Sequence, residues 1–333
     1  MATQATIPGS EPMRRPAVRL DPPPILNPRG VQLGGFNCVL SGSNTYHFVP
    51  PYVGPLSIKT MLKGSAAWET PGRRYVVREN TYLVLNDGQR YTLTIDSHEA
   101  PRTFVIFFEH GFVEEVQRAM QSDAGNLLDA PFTSNRLRVE FHERLEPQPS
   151  PVLAATRKFH AALSRGRHSR TAAEESFLGI AEALLKQHRQ TGKSAAHLSA
   201  QRPSTREELL RRVSRGRDYI LSSLSERVTL KEAARAACLS PYHFLRAFRD
   251  AFGATPHQFL TRQRLDRAWL LLGRGDRSVT DVCLESGFQS LGSFSSLFRR
   301  HFGVSPQLVQ RGATQLPEQI SDSAPIRRNA QNP

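Results

Sequence analysis

The chain is 333 residues long, with 44 Lys and Arg against 30 Asp and Glu, a formal net charge of +14. The positive balance points to a polyanionic partner, and no segment approaches the roughly 18 apolar residues that a membrane helix requires. Its three cysteines, Cys38, Cys238 and Cys283, are isolated, which leaves neither a CxxC pair nor a disulfide framework and predicts a cytoplasmic chain without a membrane anchor.

Residues 1–29 carry Pro8, Pro12, Pro16, Pro22, Pro23, Pro24 and Pro28 with Arg14, Arg15 and Arg19 among them, a composition that predicts a disordered arm. This arm has no apolar stretch of the kind a secretory signal needs. Across 30–110 the pattern changes to that of strands: RYVV, TYLVLN, RYTLTI and TFVIFF, separated by turn residues. Asn86-Asp87-Gly88-Gln89 between two of these runs reads as a hairpin, and the region as a small β-sandwich or barrel. His47, His98, His110 and His142 lack the close HxH spacing of a metal site, so neither a metal nor a cofactor is expected. Trp68, Tyr75, Tyr82 and Tyr91 are candidates for lining an effector cavity, although for any one of them a place in the core is the commoner role.

Residues 111–190 return to helical period in FVEEVQRAM, VLAATRKFHAAL and AAEESFLGIAEALLKQH. In the last of these Phe177, Ile180, Ala181, Leu184 and Leu185 form an apolar stripe, suited to docking on the sandwich or to joining two chains in a homodimer. TGKSAAHLSAQRPST, within 191–205, reads as a linker, and 313–333 as a disordered tail.

Between these last segments, residues 206–312 hold 18 Lys and Arg against 10 Asp and Glu, so more than half of the excess charge lies there. Nearly all of those cations are Arg, whose planar fork suits phosphate and guanine edges. The region also contains a repeat. LSPYHFLRAFRDAFGATP at 239–256 and QSLGSFSSLFRRHFGVSP at 289–306 align at an offset of fifty: Phe244, Phe248, Phe252, Gly253 and Pro256 correspond to Phe294, Phe298, Phe302, Gly303 and Pro306. Aromatic residues every four positions form one buried helical stripe, which the Gly closes. A shorter helical segment precedes each copy, with Leu230, Ala233 and Ala234 matching Val279, Val282 and Cys283 at an offset of forty-nine. Short helix, tight turn and second helix describe a helix-turn-helix, about 231–252 in the first copy and 279–302 in the second. Either copy alone would pass for a plain helical hairpin, but two copies with identical punctuation argue against that.

On SPYHFLRAF, FGATP followed by RQRLDRAWLLL, VTDVCLESGF and SFSSLFRRHFGVSP, residues 214–312 resemble the DNA-binding domain of AraC/XylS-type bacterial transcription regulators. The resemblance covers about a third of the chain. It implies seven helices in two helix-turn-helix subdomains joined by a long helix, here near Pro256 to Leu272 with Leu260, Leu265, Ala268 and Leu272 on its apolar face. It also implies that the N-terminal region is a cupin-like sensory domain, giving an α+β multidomain chain. Its partners would be double-stranded DNA, a small-molecule effector and, for an activator, RNA polymerase. The chain departs from the family at Cys238, where Gly is usual, at Ser296, often Arg, and at Val309 and Gln310, usually a Tyr-Arg pair.

With the Phe stripe turned inward, Tyr242, His243, Arg246 and Arg249 are left for a DNA groove in the first copy, Arg246 as the base reader and Arg249 on phosphate. The second copy presents small residues, so Ser293 and Ser296, with Arg299 and Arg300 on phosphates, are expected to position the domain more than to read bases. The function predicted is sequence-specific transcription regulation without catalysis. The alternatives are a cupin-like enzyme with a basic tail and an architectural DNA-binding protein that takes no ligand.

Overall fold

A computed structural model describes residues 25–121, 138–166, 169–195 and 203–312. The expectations for residues 1–24 and 313–333 lie outside the described residues. Among the described residues, nine strands build two antiparallel sheets: β1 (Cys38–Ser43), β2 (Tyr46–Gly54), β3 (Ser57–Lys63), β4 (Ser65–Thr70), β5 (Arg73–Arg78), β6 (Thr81–Leu85), β7 (Gln89–Asp96), β8 (Arg102–Phe107) and β9 (Leu145–Pro147). Their order is β1-β8-β3-β6-β9 in one sheet and β2-β7-β4-β5 in the other. Helices α1 (Phe112–Ala119), α2 (Pro151–Ser164) and α3 (Arg170–Ala195) follow the sandwich.

Period-2 alternation sorts the five-stranded sheet into two buried faces. Cys38, Met61, Leu83, Leu85, Val105 and Phe107 point between the sheets, toward Trp68, Tyr75, Tyr91 and Leu93 of the other sheet. Val39, Ile58, Tyr82, Val84, Phe104 and Ile106 point outward, onto Phe159 of α2 and the stripe Phe177, Ile180, Ala181, Leu184 and Leu185 of α3. The α3 stripe is therefore spent on the sandwich and is not a dimer surface. Burying a side chain the size of Phe177 contributes about 2–3 kcal/mol, which holds the helix across the sheet.

Three local readings change. The Asn86–Gln89 segment is a tight turn, with the Gln89 amide donating to the Asn86 carbonyl at 3.2 Å and Gly88 at φ +77°. It is not a hairpin, because β6 pairs with β3 and β9 while β7 pairs with β2 and β4. The turn instead carries the chain from one sheet to the other. The 111–190 region, expected to be helical, also contains β9, which completes the edge of the five-stranded sheet. Within the expected arm, Ile25 and Asn27 lie along β1: the Val39 amide donates to the Ile25 carbonyl and the Asn27 amide to the Val39 carbonyl, both at 2.8 Å.

The C-terminal part is all helical: α4 (Pro203–Ser222), α5 (Leu230–Ala236), α6 (Pro241–Phe252), α7 (Pro256–Leu272), α8 (Val279–Glu285), α9 (Leu291–Phe302) and α10 (Pro306–Gln310). With α3 running to Ala195 and α4 beginning at Pro203, both ends of the expected 191–205 linker are helical. Two cores form on one shared helix. Leu260 in the first half of α7 packs with Phe244 and Phe248, and Leu265, Ala268 and Leu272 in the second half pack with Phe294 and Phe298.

Candidate nucleic-acid interface

The two repeats fold alike because their signals match. Ser240 and Ser290 cap α6 and α9, accepting from the amides of His243 and Ser293 at 3.3 and 3.4 Å. Gly253 and Gly303, at φ 69° and 78°, close them in the left-handed conformation that glycine adopts without cost. Pro256 and Pro306 then open α7 and α10 at their first turn, where a missing amide proton is harmless.

The turns are also equivalent. Leu239 donates to Ala234 at 3.0 Å in the first copy, and Phe288 to Cys283 at 3.0 Å in the second, the same six-residue closure. Cys238 (φ 53°) and Gly287 (φ 90°) occupy the same left-handed position. The second turn is one residue longer, with Gln289 inserted before the Ser cap, and this is why the offset shifts from forty-nine to fifty.

On the outer side of α6, Tyr242, His243, Arg246 and Arg249 are all exposed, Tyr242 at 71%. Phe244 and Phe248 behind them are completely buried, while Phe252 at the end of the stripe is half-buried. On α9, Ser293, Ser296, Arg299 and Arg300 are exposed over a buried Phe294 and Phe298. Every sequence-predicted contact residue thus lies on the outer side of a second helix. The exposed surface of α6 carries long polar side chains, whereas α9 presents Leu291, Gly292 and Ser293 in its first turn and its cations in its last.

The four aromatic residues expected to line a cavity do not stay together. Trp68, Tyr75 and Tyr91 lie between the sheets, and Tyr82 is on the opposite face of its sheet among the α2 and α3 side chains, because it alternates with the inward Leu83 and Leu85. Among the described residues no group of three or more His, Cys, Asp or Glu side chains is placed to hold a metal ion.

Helix α4 joins the two parts. Leu221 reaches into the inner core of the sandwich, while Val213, Ile220 and Leu224 belong to the core of the first helix-turn-helix. The Arg217 guanidinium donates to the Leu145 carbonyl of β9 at 2.6 Å and lies 5.0 Å from the ring centroid of Phe252 at the end of α6. Further out, Arg274 pairs with Glu79, and Arg277 with Glu99 at 3.3 Å, tying the second helix-turn-helix to the sandwich. These connections were not visible in the sequence, since an Arg on its own ordinarily reads as a solvated charge.

A sandwich followed by two helix-turn-helix units on a shared helix is a two-domain architecture. Two family models match it, an AraC-like ligand binding domain over residues 34–181 and a helix-turn-helix domain over residues 233–312. The chain belongs to the AraC family. It is 36% identical over 93 residues to the probable transcriptional regulator LumQ of Photobacterium leiognathi, covering 28% of this chain and 38% of that protein. It is 35% identical over 100 residues to the transcriptional activator RhaS of Salmonella arizonae, covering 30% and 36%. The chain thus spans well under half the length of these relatives. A solved probable AraC family regulator from Rhodopseudomonas palustris is 28% identical, covering 31% of this chain and 98% of that one, with a TM-score of 0.29. No described helix is long and apolar enough to cross a membrane.

Proposed function

We propose that the chain is a sequence-specific transcription regulator whose sandwich senses a small-molecule effector and whose two helix-turn-helix units bind double-stranded DNA. The observation that carries this reading is the pair of equivalent units built on the one helix α7, each with its polar side outward. A shared rigid helix fixes the separation of two recognition helices, which is what a chain needs to enter successive major grooves about 34 Å apart.

In this reading α6 is the reader. Arg246 takes a guanine edge, Tyr242 a thymine methyl or a phosphate, and His243 and Arg249 the backbone. Helix α9 positions the domain through Ser293, Ser296, Arg299 and Arg300. Effector binding changes the sandwich, and β9, Arg217 and Phe252 relay the change to α6. Whether the bound chain recruits RNA polymerase or blocks it depends on where its site lies relative to a promoter, and two chains would occupy repeated sites.

The test is selection of binding sites from random duplex DNA by the purified full chain, followed by competition at fixed salt. A selected site bound about 10³-fold or more above bulk DNA supports the reading. Affinity that depends on salt but not on sequence contradicts it.

A further inference from the structure

Lys59 lies on the middle strand of the five-stranded sheet and points into the space between the sheets. It is 1% exposed and is one of only six lysines in the chain. Its Nζ donates to the Tyr91 hydroxyl at 3.0 Å and sits 4.1 Å from the Tyr91 ring centroid and 4.4 Å from that of Phe107. Its cross-strand neighbours Leu83 and Val105 are apolar. Among the described residues Lys59 has no ion-pair partner, and burial alone holds it well below the ordinary lysine range. Removing an ammonium from water without a counterion is costly, which makes a buried amine of this kind a candidate for chemistry.

We propose that Lys59 captures a carbonyl-bearing effector as an imine inside the sandwich, with the Tyr91 hydroxyl moving the proton. This deepens the sensory reading given above and rests on it. The Nζ lone pair adds to the carbonyl carbon, and a proton passes from nitrogen to the carbonyl oxygen through the Tyr91 hydroxyl. Water then leaves as the C=N bond forms. Amine and carbonyl are converted to imine and water, and no oxidant or reductant is consumed. A desolvated, uncharged amine is the activated form of lysine for this addition. Burial also raises Tyr91 above the ordinary phenol range, so that it keeps its proton for the transfer.

An organic acid is the rival ligand. A carboxylate would need several donors in place of water, and this interior offers it Lys59 and Tyr91 among Trp68, Met61, Phe107 and Leu93. A carbonyl group is less costly to bury, and burial favours the uncharged amine with which it reacts. Leu221 of α4 and the partly buried Phe259 of α7 pack against this same inner core, so a molecule bound at Lys59 presses on helices of the DNA-binding part.

The experiment treats the full chain at pH 7 with benzaldehyde or butanal and sodium cyanoborohydride, then maps the modified lysines by mass spectrometry. An exposed lysine is uncharged in only about one molecule in 10³ at that pH, so Lys59 is expected to be trapped at least about tenfold faster than the exposed Lys63 and Lys186. Lys59→Met abolishes the fast adduct while the slow ones persist. Labelling spread over Lys63 and Lys186 with Lys59 unmodified overturns the proposal, as does benzoate raising the melting temperature while neither aldehyde is trapped at Lys59. Site-specific DNA binding measured on the same preparation separates the two claims. If it persists without Lys59 capture, the regulator reading stands and only the imine is lost.

Discussion

The Asp218 carboxylate on α4 accepts the backbone amide of Leu145 in β9 at 3.0 Å, while its neighbour Arg217 donates to the carbonyl of the same residue. β9 is an edge strand, and these two side chains satisfy the amide and carbonyl that a further strand would otherwise pair. Asp218 Oδ2 has no hydrogen-bond partner among the described residues. Burial raises the Asp218 pKa from 3.8 to about 7, against the opposing pull of Arg217 and the Leu145 amide.

A raised carboxyl pKa means that the folded chain holds the proton more tightly than the unfolded one. The stabilisation is fully present below about pH 4, declines as the pH rises toward 7, and is gone above it, with a slope of up to ~1.4 kcal/mol per pH unit. Asp218→Asn keeps an oxygen for the Leu145 amide and carries no charge. Urea titrations from pH 4 to 8 should show the decline in the parent chain and a flatter profile in the variant. Parallel profiles would contradict the assignment.

The unequal outer surfaces of α6 and α9 predict unequal effects on DNA. Arg246→Ala should cost roughly 1–3 kcal/mol on the preferred site and relax the choice of base at one position. Arg299→Ala should weaken binding to all sequences alike and lower the salt slope by about one. Binding isotherms on the selected site and on single-base variants at several salt concentrations separate the two patterns.

Gly216 on α4 is fixed by close approach. A Cβ there would come 2.3 Å from the Phe244 ring and 2.8 Å from the Ala233 carbonyl. Alanine ordinarily favours a helix over glycine by about 1 kcal/mol, but here Phe244 must move. Gly216→Ala should therefore destabilise the chain by about 1–3 kcal/mol in denaturant titration. A gain in stability would show that the contact is loose.

Cys238 and Gly287 share one backbone conformation but not one environment. A Cβ at Gly287 would meet the Leu224 carbonyl at 2.4 Å, whereas the Cys238 side chain is exposed. Gly287→Ala should unfold at clearly lower denaturant, and Cys238→Ala should stay within about 0.5 kcal/mol of the parent. Equal midpoints for the two variants would remove the distinction.

The helix-turn-helix pair was legible because its signals are local: aromatic residues every four positions, Ser caps, and Gly followed by Pro. The same sequence hid what depends on distant pairing. Asn86–Gln89 has the residues of a hairpin turn, but only sheet assignment shows β6 and β7 parting company. β9 is three residues long, too short for a period to show. Lys59 alternates with Ile58 and Thr60, so on a sheet with one wet side it would face water. Here both sides are covered, and all five residues from Ser57 to Met61 are buried.

In the proposed reading one chain enters two successive major grooves through α6 and α9. Hydroxyl-radical footprinting of the full chain on its selected site tests it most directly. Two protected patches are expected on one face of the duplex, centred about 10–10.5 base pairs apart, with Arg246→Ala changing the preferred base in only one of them. A single patch, or protection spread without register along the duplex, would contradict it.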